Sequence, residues 1–361
     1  MSKPSVYSII VGSGSYLPEV IMRNEDFLHH TFYDPCKQKI AKTNEFIINK
    51  FHQITGISER RYVRPDQVAS DIATEAAIEA IADAKIDAET LDCLIVAHNF
   101  GDVTLASGQS DCVPSLAARV KYKLQILNPQ LIAYDLPFGC AGWLQAVIQA
   151  NQFIQAGIYK RVLVIGAETI SRVSDPHDRD SMIYADGAGA VILEAKESEF
   201  PIGILTQQAK SLAYPHALAL RMEKSYNPDA TTENLFLKMD GHKLYEQVIT
   251  HVPQIMKECI EASPIEIADI DTFLIHQANL KMDEAILSRL FEAYQIKPAP
   301  LEKMPMSISF LGNSSVATIP TLYDLIAKGK FEGHQFKSGQ HIMFAAVGAG
   351  INLNAVIYRI P

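Results

Sequence analysis

Cys140 is the residue in this chain whose type and setting most directly suggest chemistry. It stands in Asp135-Leu136-Pro137-Phe138-Gly139-Cys140-Ala141-Gly142-Trp143, between a run with strand character and a run with helix character. A cysteine at a helix start faces the positive end of the macrodipole and unpaired backbone N–H groups. Both favour the thiolate and predict a depressed pKa. Gly139 and Gly142 permit a sharp turn and close approach by a substrate backbone or thioester. Position alone equally allows a small buried apolar residue, which is what most free cysteines are. Cys93, in an apolar strand, and Cys259, in an amphipathic helix, fit that second description, while Cys36 and Cys112 lie in loops and receive no role.

His276 opens a polar His276-Gln277-Ala278-Asn279 cluster directly after the apolar run that ends at Ile275. Such a cluster marks a site at the carboxyl edge of a sheet, where a histidine serves as acid, base or hydrogen-bond donor. A satisfied core histidine is the plainer alternative. Asn313, in Leu311-Gly312-Asn313-Ser314-Ser315, is read as opening a helix at the position equivalent to Cys140, although asparagine there is also a favoured N-cap. A Cys/His/Asn set supports acyl transfer, in which a thiolate attacks a thioester while imidazole and amide polarise a second carbonyl. Other motifs carry less. Gly12-x-Gly14, read as a turn after the first strand, lacks the third glycine of a dinucleotide fingerprint, since Leu17 stands in its place. Gly348-x-Gly350 reads as a turn that could aim N–H groups at an oxyanion. Asp175–Asp180 reads as a solvated charged loop, and no spacing suggests a metal.

The elements that must position these residues alternate along the chain. Val6–Val11, after Met1–Pro4, reads as a strand, as do Leu91–Ala97, Leu131–Leu136, Arg161–Gly166 and Ala188–Glu194. Helices are expected over Asp71–Ala84, with Ile72, Ala76, Ile78 and Ala82 on one face, and over Ala141–Ala156 and Lys243–Ala262. Residues 86–96 (IDAETLDCLIV) match residues 265–275 (IEIADIDTFLI) at an offset of 179, and each copy follows an amphipathic helix. Both halves are expected to end in a glycine-containing hairpin, at Asp186–Gly189 and Gly348–Gly350. Duplication of an α/β unit follows, with halves at about 1–200 and 201–361 meeting at a central crevice.

With 361 residues, 48% hydrophobic and 20% charged, the chain has the balance of a globular enzyme with a sizeable core. Its net charge of −9 gives no global footprint for nucleic acid or anionic membrane. No run is long and apolar enough for a membrane span. Five cysteines, an odd number with no CxxC spacing, argue against a disulfide framework and for a reducing cytoplasm.

In these residues the chain resembles the β-ketoacyl-acyl-carrier-protein synthase III family of the thiolase superfamily. The resemblance spans nearly the whole chain. It rests on Thr55-Gly56-Ile57-Ser58-Glu59-Arg60-Arg61, Cys140-Ala141-Gly142-Trp143, Asp175–Arg179 with Asp186-Gly187-Ala188-Gly189-Ala190, His276–Leu280, Gly312-Asn313-Ser314-Ser315 and Gly348-Ala349-Gly350. It implies an α/β fold, a thiolase-like duplicated αβαβα five-layer sandwich, assembled as a homodimer.

The resemblance also implies roles. Cys140 is similar to the nucleophile that takes an acyl group from a thioester. His276 and Asn313 are similar to the pair that binds a malonyl thioester and stabilises the enolate left by loss of CO2, which then attacks the acyl-cysteine to give a 3-oxoacyl product. The N–H groups of Cys140 and Ala349 would form the oxyanion hole. Arg179 matches a position near the coenzyme A nucleotide. Lys281 matches a basic position that docks the acidic acyl carrier protein, and Gln277 is grouped with it among the substrate- and carrier-binding residues. No cofactor beyond the coenzyme A and carrier thioester substrates is implied.

Several positions depart from the family pattern. Ile54 stands where an arginine is common and Phe46 is aligned with a tryptophan that stacks on the coenzyme. Ala349 replaces a glycine. Val113 falls where a residue caps the acyl pocket across the dimer, leaving room for a longer acyl group. These changes suggest a divergent, secondary-metabolic condensing enzyme. A non-condensing acyltransferase to an alcohol or amine, and a silent carrier-binding subunit, are the competing readings.

Overall fold

The computed structural model describes residues 5–361, so Met1–Pro4, which precede the expected first strand, lie outside the described residues. The first sheet contains β1 (Ser5–Tyr16), β2 (Cys93–His98), β3 (Ile132–Pro137), β4 (Arg161–Thr169) and β5 (Asp186–Ser198), in the order β1-β5-β4-β2-β3. After it come β6 (Gly203–Ser211), a hairpin of β7 (Leu220–Glu223) and β8 (Phe236–Met239), then β9 (Ile270–Ile275), β10 (His341–Gly348) and β11 (Asn352–Arg359). Strands β6, β9, β10 and β11 form a second sheet in the order β6-β11-β10-β9. The main helices are α1 (Asn44–Thr55), α2 (Ala69–Ala84), α3 (Leu116–Lys123), α4 (Gly142–Gln155), α5 (Gly241–Glu261), α6 (Leu280–Ala293) and α7 (Thr318–Ala327).

Pairing makes the duplication visible. In the first sheet β4 lies parallel to β2 and antiparallel to β5, which is antiparallel to β1. In the second, β10 lies parallel to β9 and antiparallel to β11, which is antiparallel to β6. The short 3₁₀ turns Ala88–Thr90 and Ile267–Asp269, which lead into β2 and β9, keep the offset of 179. Asp92 and Asp271 repeat a function as well as a position. Each carboxylate accepts from the backbone at the start of the next parallel strand, Asp92 from Arg161 N at 2.9 Å and Asp271 from His341 N at 2.9 Å.

Alternation along the central strands builds the layers, because successive side chains point to opposite faces. Cys93, Ile95, Val162 and Val164 pack with Ile342 and Phe344 around Trp143, Val147 and Leu322, so α4 and α7 lie between the two sheets. Leu94, Val96, Leu163 and Ile165 face the other way onto α2 and α3. Met343 and Ala345 turn outward onto α5 and α6. The result is five layers, αβαβα. The chain crosses from the first sheet to the second in the short segment 199–202 between β5 and β6.

Four local expectations are corrected. Ile78 is 48% exposed and Ala82 is also exposed, because α2 buries a denser alanine face comprising Ala69, Ile72, Ala73, Ala76, Ala77 and Ala80. Gly12 and Gly14 are neither turn nor phosphate loop. They lie inside β1, where a Cβ on Gly12 would come within 2.5 Å of the Ala80 carbonyl, so they permit close helix–strand packing. Asp186–Gly189 begins β5 rather than forming a hairpin, and a Cβ on Gly189 would meet Thr321 N at 2.6 Å. Asp175 and Asp178 of the Asp175–Asp180 segment are buried rather than solvated, while Pro176 and Arg179 remain exposed. Lys238, fully buried, bridges Asp175 at 2.6 Å and Asp178 at 3.1 Å, and its ammonium lies 3.4 Å from the centre of the Tyr226 ring.

Candidate active site

The loops that leave the carboxyl ends of β3, β9 and β10 meet over one cavity of about 1050 Å3. Cys140, His276, Asn313 and Ala349 all line it. Cys140 sits in a 3₁₀ turn, Gly139–Ala141, and α4 starts only at Gly142. The backbone of this turn is pressed against the β10–β11 hairpin. A Cβ on Gly139, whose φ is +67°, would collide with the Ala349 amide nitrogen, and one on Gly348 would lie 2.6 Å from Cys140 N and 2.7 Å from Ala141 N. Two glycines without side chains thus bring the Cys140 and Ala349 backbones side by side, as an oxyanion cradle requires.

Burial pushes the Cys140 thiol up to about 11, and the nearby Glu168 carboxyl adds to the rise, while the Ser315 hydroxyl acts in the opposite direction. This corrects the expected depression. The sulfur stands before the helix proper and the cost of desolvating a thiolate outweighs the local donors.

His276 follows β9 and is held by its own N–H to Ala345 O at 2.9 Å. Its Nδ1 is buried without a partner, which leaves Nε2 as the ring nitrogen on the cavity side. Burial lowers its pKa to about 4, so the imidazole is neutral near pH 7. Asn313 Oδ1 accepts from Ser315 N at 2.8 Å. A backbone N–H can only donate, so the amide is oriented and Nδ2 is the group left to donate into the cavity. Asn313 does not open a helix in register with Cys140. It precedes the 3₁₀ turn Ser315–Ala317, the counterpart of Gly139–Ala141, by two residues.

The remaining expected residues are scattered. Arg179, Phe46 and Ile54 line the cavity mouth together with Lys42 and Lys50. Phe46 is 54% exposed, with the Lys42 ammonium 5.5 Å from its ring centre. Gln277 does not face ligand space. It is buried, with Oε1 accepting from Ser307 N at 2.8 Å and Ile308 N at 3.0 Å and Nε2 donating to Pro305 O at 2.8 Å, so it braces the segment before Asn313. Lys281 is exposed near the start of α6, outside the cavity lining, and Val113 lies 85% exposed on the surface. Three residues near Cys140 escaped sequence reasoning: Asn99, Glu168 and Ser315. Glu168 had a legible signal, a charged residue at the end of the apolar run Arg161–Thr169.

All five cysteines are unpaired. Among the described residues no helix is long and apolar enough to cross a membrane, and no cluster of metal-ligating side chains occurs.

Comparison with known proteins agrees with this architecture. The family described as 3-oxoacyl-[acyl-carrier-protein (ACP)] synthase III matches residues 134–211, and its C-terminal part matches residues 260–360. A β-ketoacyl-[acyl-carrier-protein] synthase III from Pectobacterium atrosepticum is 31% identical over 98% of this chain and 100% of its own. Solved structures of 3-oxoacyl-[acyl-carrier-protein] synthase III from Aquifex aeolicus (29% identity, TM-score 0.78) and Thermus thermophilus (28%, 0.80) each cover 98% of this chain and 99% of their own. The priming β-ketosynthase of the R1128 polyketide pathway, at 23% identity and TM-score 0.80, shares the fold. With two duplicated halves, a cysteine before the central helix and full-length similarity, the chain belongs to the 3-oxoacyl-[acyl-carrier-protein] synthase III family of acyl-transferring condensing enzymes.

Proposed function

We propose that the chain catalyses decarboxylative Claisen condensation of an acyl thioester with a malonyl thioester. Cys140 attacks the acyl thioester. A bond forms between its sulfur and the acyl carbon, and the thiol proton leaves with the departing coenzyme A or carrier thiol. A malonyl thioester then places its carbonyl between His276 Nε2–H and Asn313 Nδ2–H. Loss of CO2 leaves the electron pair as an enolate held by those donors, and its carbon attacks the Cys140 thioester. The collapsing oxyanion, cradled by the Cys140 and Ala349 N–H groups, expels the sulfur and releases a 3-oxoacyl thioester.

The observation that carries this reading is convergence: nucleophile, imidazole, oriented amide and backbone donors from both halves line one cavity. Neutral His276 suits the donor role, which an unprotonated Nδ1 does not hinder. The cavity, at about 1050 Å3, slightly exceeds the ~300–1,000 Å3 usual for small-molecule sites. Its walls include Ile40, Ile47, Phe51, Leu237, Met239 and Val248, which favours an extended apolar acyl group. Lys42, Lys50 and Arg179 at the mouth, with exposed Lys281, favour the anionic phosphates of coenzyme A or an acidic acyl carrier protein. We also infer a homodimer and a reducing, cytoplasmic setting. β3 is an edge strand whose Ile132 is half exposed, and no cysteine is paired.

The test is CO2 release from a labelled malonyl carrier in the presence of acyl thioester, with wild-type protein and the variants His276→Ala and Asn313→Ala. Each variant is expected to lose about 10²–10³ in condensation while keeping acylation of Cys140. Transfer of the acyl group to an alcohol or amine without malonyl, unchanged in Asn313→Ala, would establish the non-condensing reading instead.

A further inference from the structure

Glu168 is fully buried at the end of β4, in an otherwise apolar strand. Its Oε2 accepts from Asn99 N at 2.8 Å and from Asn99 Nδ2 at 2.6 Å, and its Oε1 has no partner. The same Asn99 amide nitrogen donates to Ser315 Oγ at 3.1 Å. Ser315 in turn is the junction of the site. Its N–H orients Asn313, its φ is +54°, and it lines the same cavity as Cys140. Because Asn99 supplies a donor to the hydroxyl oxygen, the Ser315 hydrogen is free to point at the sulfur. A buried carboxyl with half its acceptor capacity unused is costly unless it does something there.

We propose that Glu168, Asn99 and Ser315 form a positioning relay for the nucleophile, in which Glu168 anchors Asn99, Asn99 orients the Ser315 hydroxyl, and that hydroxyl donates to the Cys140 sulfur. The two ends of the relay act on the thiolate with opposite sign. The hydroxyl at one end stabilises a sulfur anion, and the carboxylate at the other repels it. Burial raises the Glu168 carboxyl to about 7, so this repulsion is itself adjustable near neutrality. The ionisable groups that act on Glu168 besides Cys140 are His98, which favours its charged form, and Asp186, which opposes it. The inference builds on Cys140 as the acyl acceptor, yet its test does not need condensation to occur.

The pH dependence of Cys140 alkylation by iodoacetamide, read by peptide mapping, separates a relay from mere packing. Ser315→Ala removes the donor and is expected to raise the thiol midpoint by about one unit, a tenfold slower reaction at fixed pH. Asn99→Ala, which does not touch the sulfur through a hydrogen bond, is expected to move it in the same direction. Asn99→Asp serves as an isosteric second variant should the alanine protein not fold. Glu168→Gln keeps an acceptor for Asn99, removes the charge, and is expected to lower the midpoint. Shifts of the same sign in all variants, or an unchanged midpoint in Glu168→Gln or Asn99→Ala, would overturn the relay.

Discussion

At the scale of single residues, the site depends on protonation states set by burial rather than by partner charges. His276 has no counter-ion and its Nδ1 no partner, so desolvation alone holds it neutral, with a pKa of about 4 against 6.5 in water. The folded protein therefore binds fewer protons at this position than the unfolded chain between those two values. Its contribution favours folding above pH 6.5 and is lost as pH falls toward 4. For catalysis, malonyl decarboxylation should show no acid limb from His276 between pH 5.5 and 8. A limb at pH 6 to 7 in the rate profile that disappears in His276→Asn would show a charged imidazole and contradict this. The residue types at the site were legible in the sequence, but their electrostatics were not. Cys140 was expected to be depressed by a helix end, whereas α4 begins two residues later and desolvation dominates. Burial is a property of the cavity, which no local spacing encodes.

At the scale of elements, the site rests on two turns whose backbones touch. Gly348 has room for nothing beyond hydrogen, with Cys140 N 2.6 Å from where a Cβ would stand. Gly348→Ala should cost ~1–3 kcal/mol of stability through overpacking. It should also slow acylation of Cys140 by about 10² through displacement of the backbone donors. A melting curve and acylation rates check both, and a wild-type rate would show that these N–H groups are not used. The buried Lys238–Asp175–Asp178 cluster ties β8 to the segment that carries Arg179 and Asp180 at the cavity mouth. Removing the cation leaves two buried carboxylates uncompensated, so Lys238→Met should destabilise by about 3–5 kcal/mol, measured by chemical denaturation. Less than about 1 kcal/mol would mean that the cluster is solvated. The strands were readable because β2 and β4 are apolar on both faces, and the helices because their apolar positions recur. The Asp175–Asp180 segment misled because its partner, Lys238, lies some sixty residues away. Local polarity looks the same whether a charge meets water or a distant ammonium.

At the scale of the whole molecule, the duplication explains why one cavity gathers groups so far apart in sequence. Stacking the sheets across α4 and α7 brings the carboxyl ends of β3, β9 and β10 to one crevice. The offset of 179 between Asp92 and Asp271 was sufficient to infer two halves. It did not disclose that Asn313 falls two residues ahead of its turn, a shift that lets its amide reach Ser315 N. The outer edge of β3, where Ile132 is half exposed and which follows a loop carrying the 86% exposed Leu127, presents unpaired backbone groups that need covering. Light scattering should therefore give twice the 39.9 kDa chain mass. Charged substitutions at Ile132 and Leu127 should shift the protein toward monomer, and a wild-type monomer would contradict the assignment of this edge.

The central claim is that Cys140 carries the acyl group to a malonyl-derived carbanion. Intact-protein mass spectrometry follows that passage directly, across acyl-coenzyme A and acyl-carrier thioesters of graded length. The account predicts one acyl adduct, mapped to Cys140 and absent in Cys140→Ala, that disappears on addition of a malonyl thioester as a 3-oxoacyl product forms. An adduct on another residue, or one on Cys140 that malonyl thioester leaves in place, would contradict it.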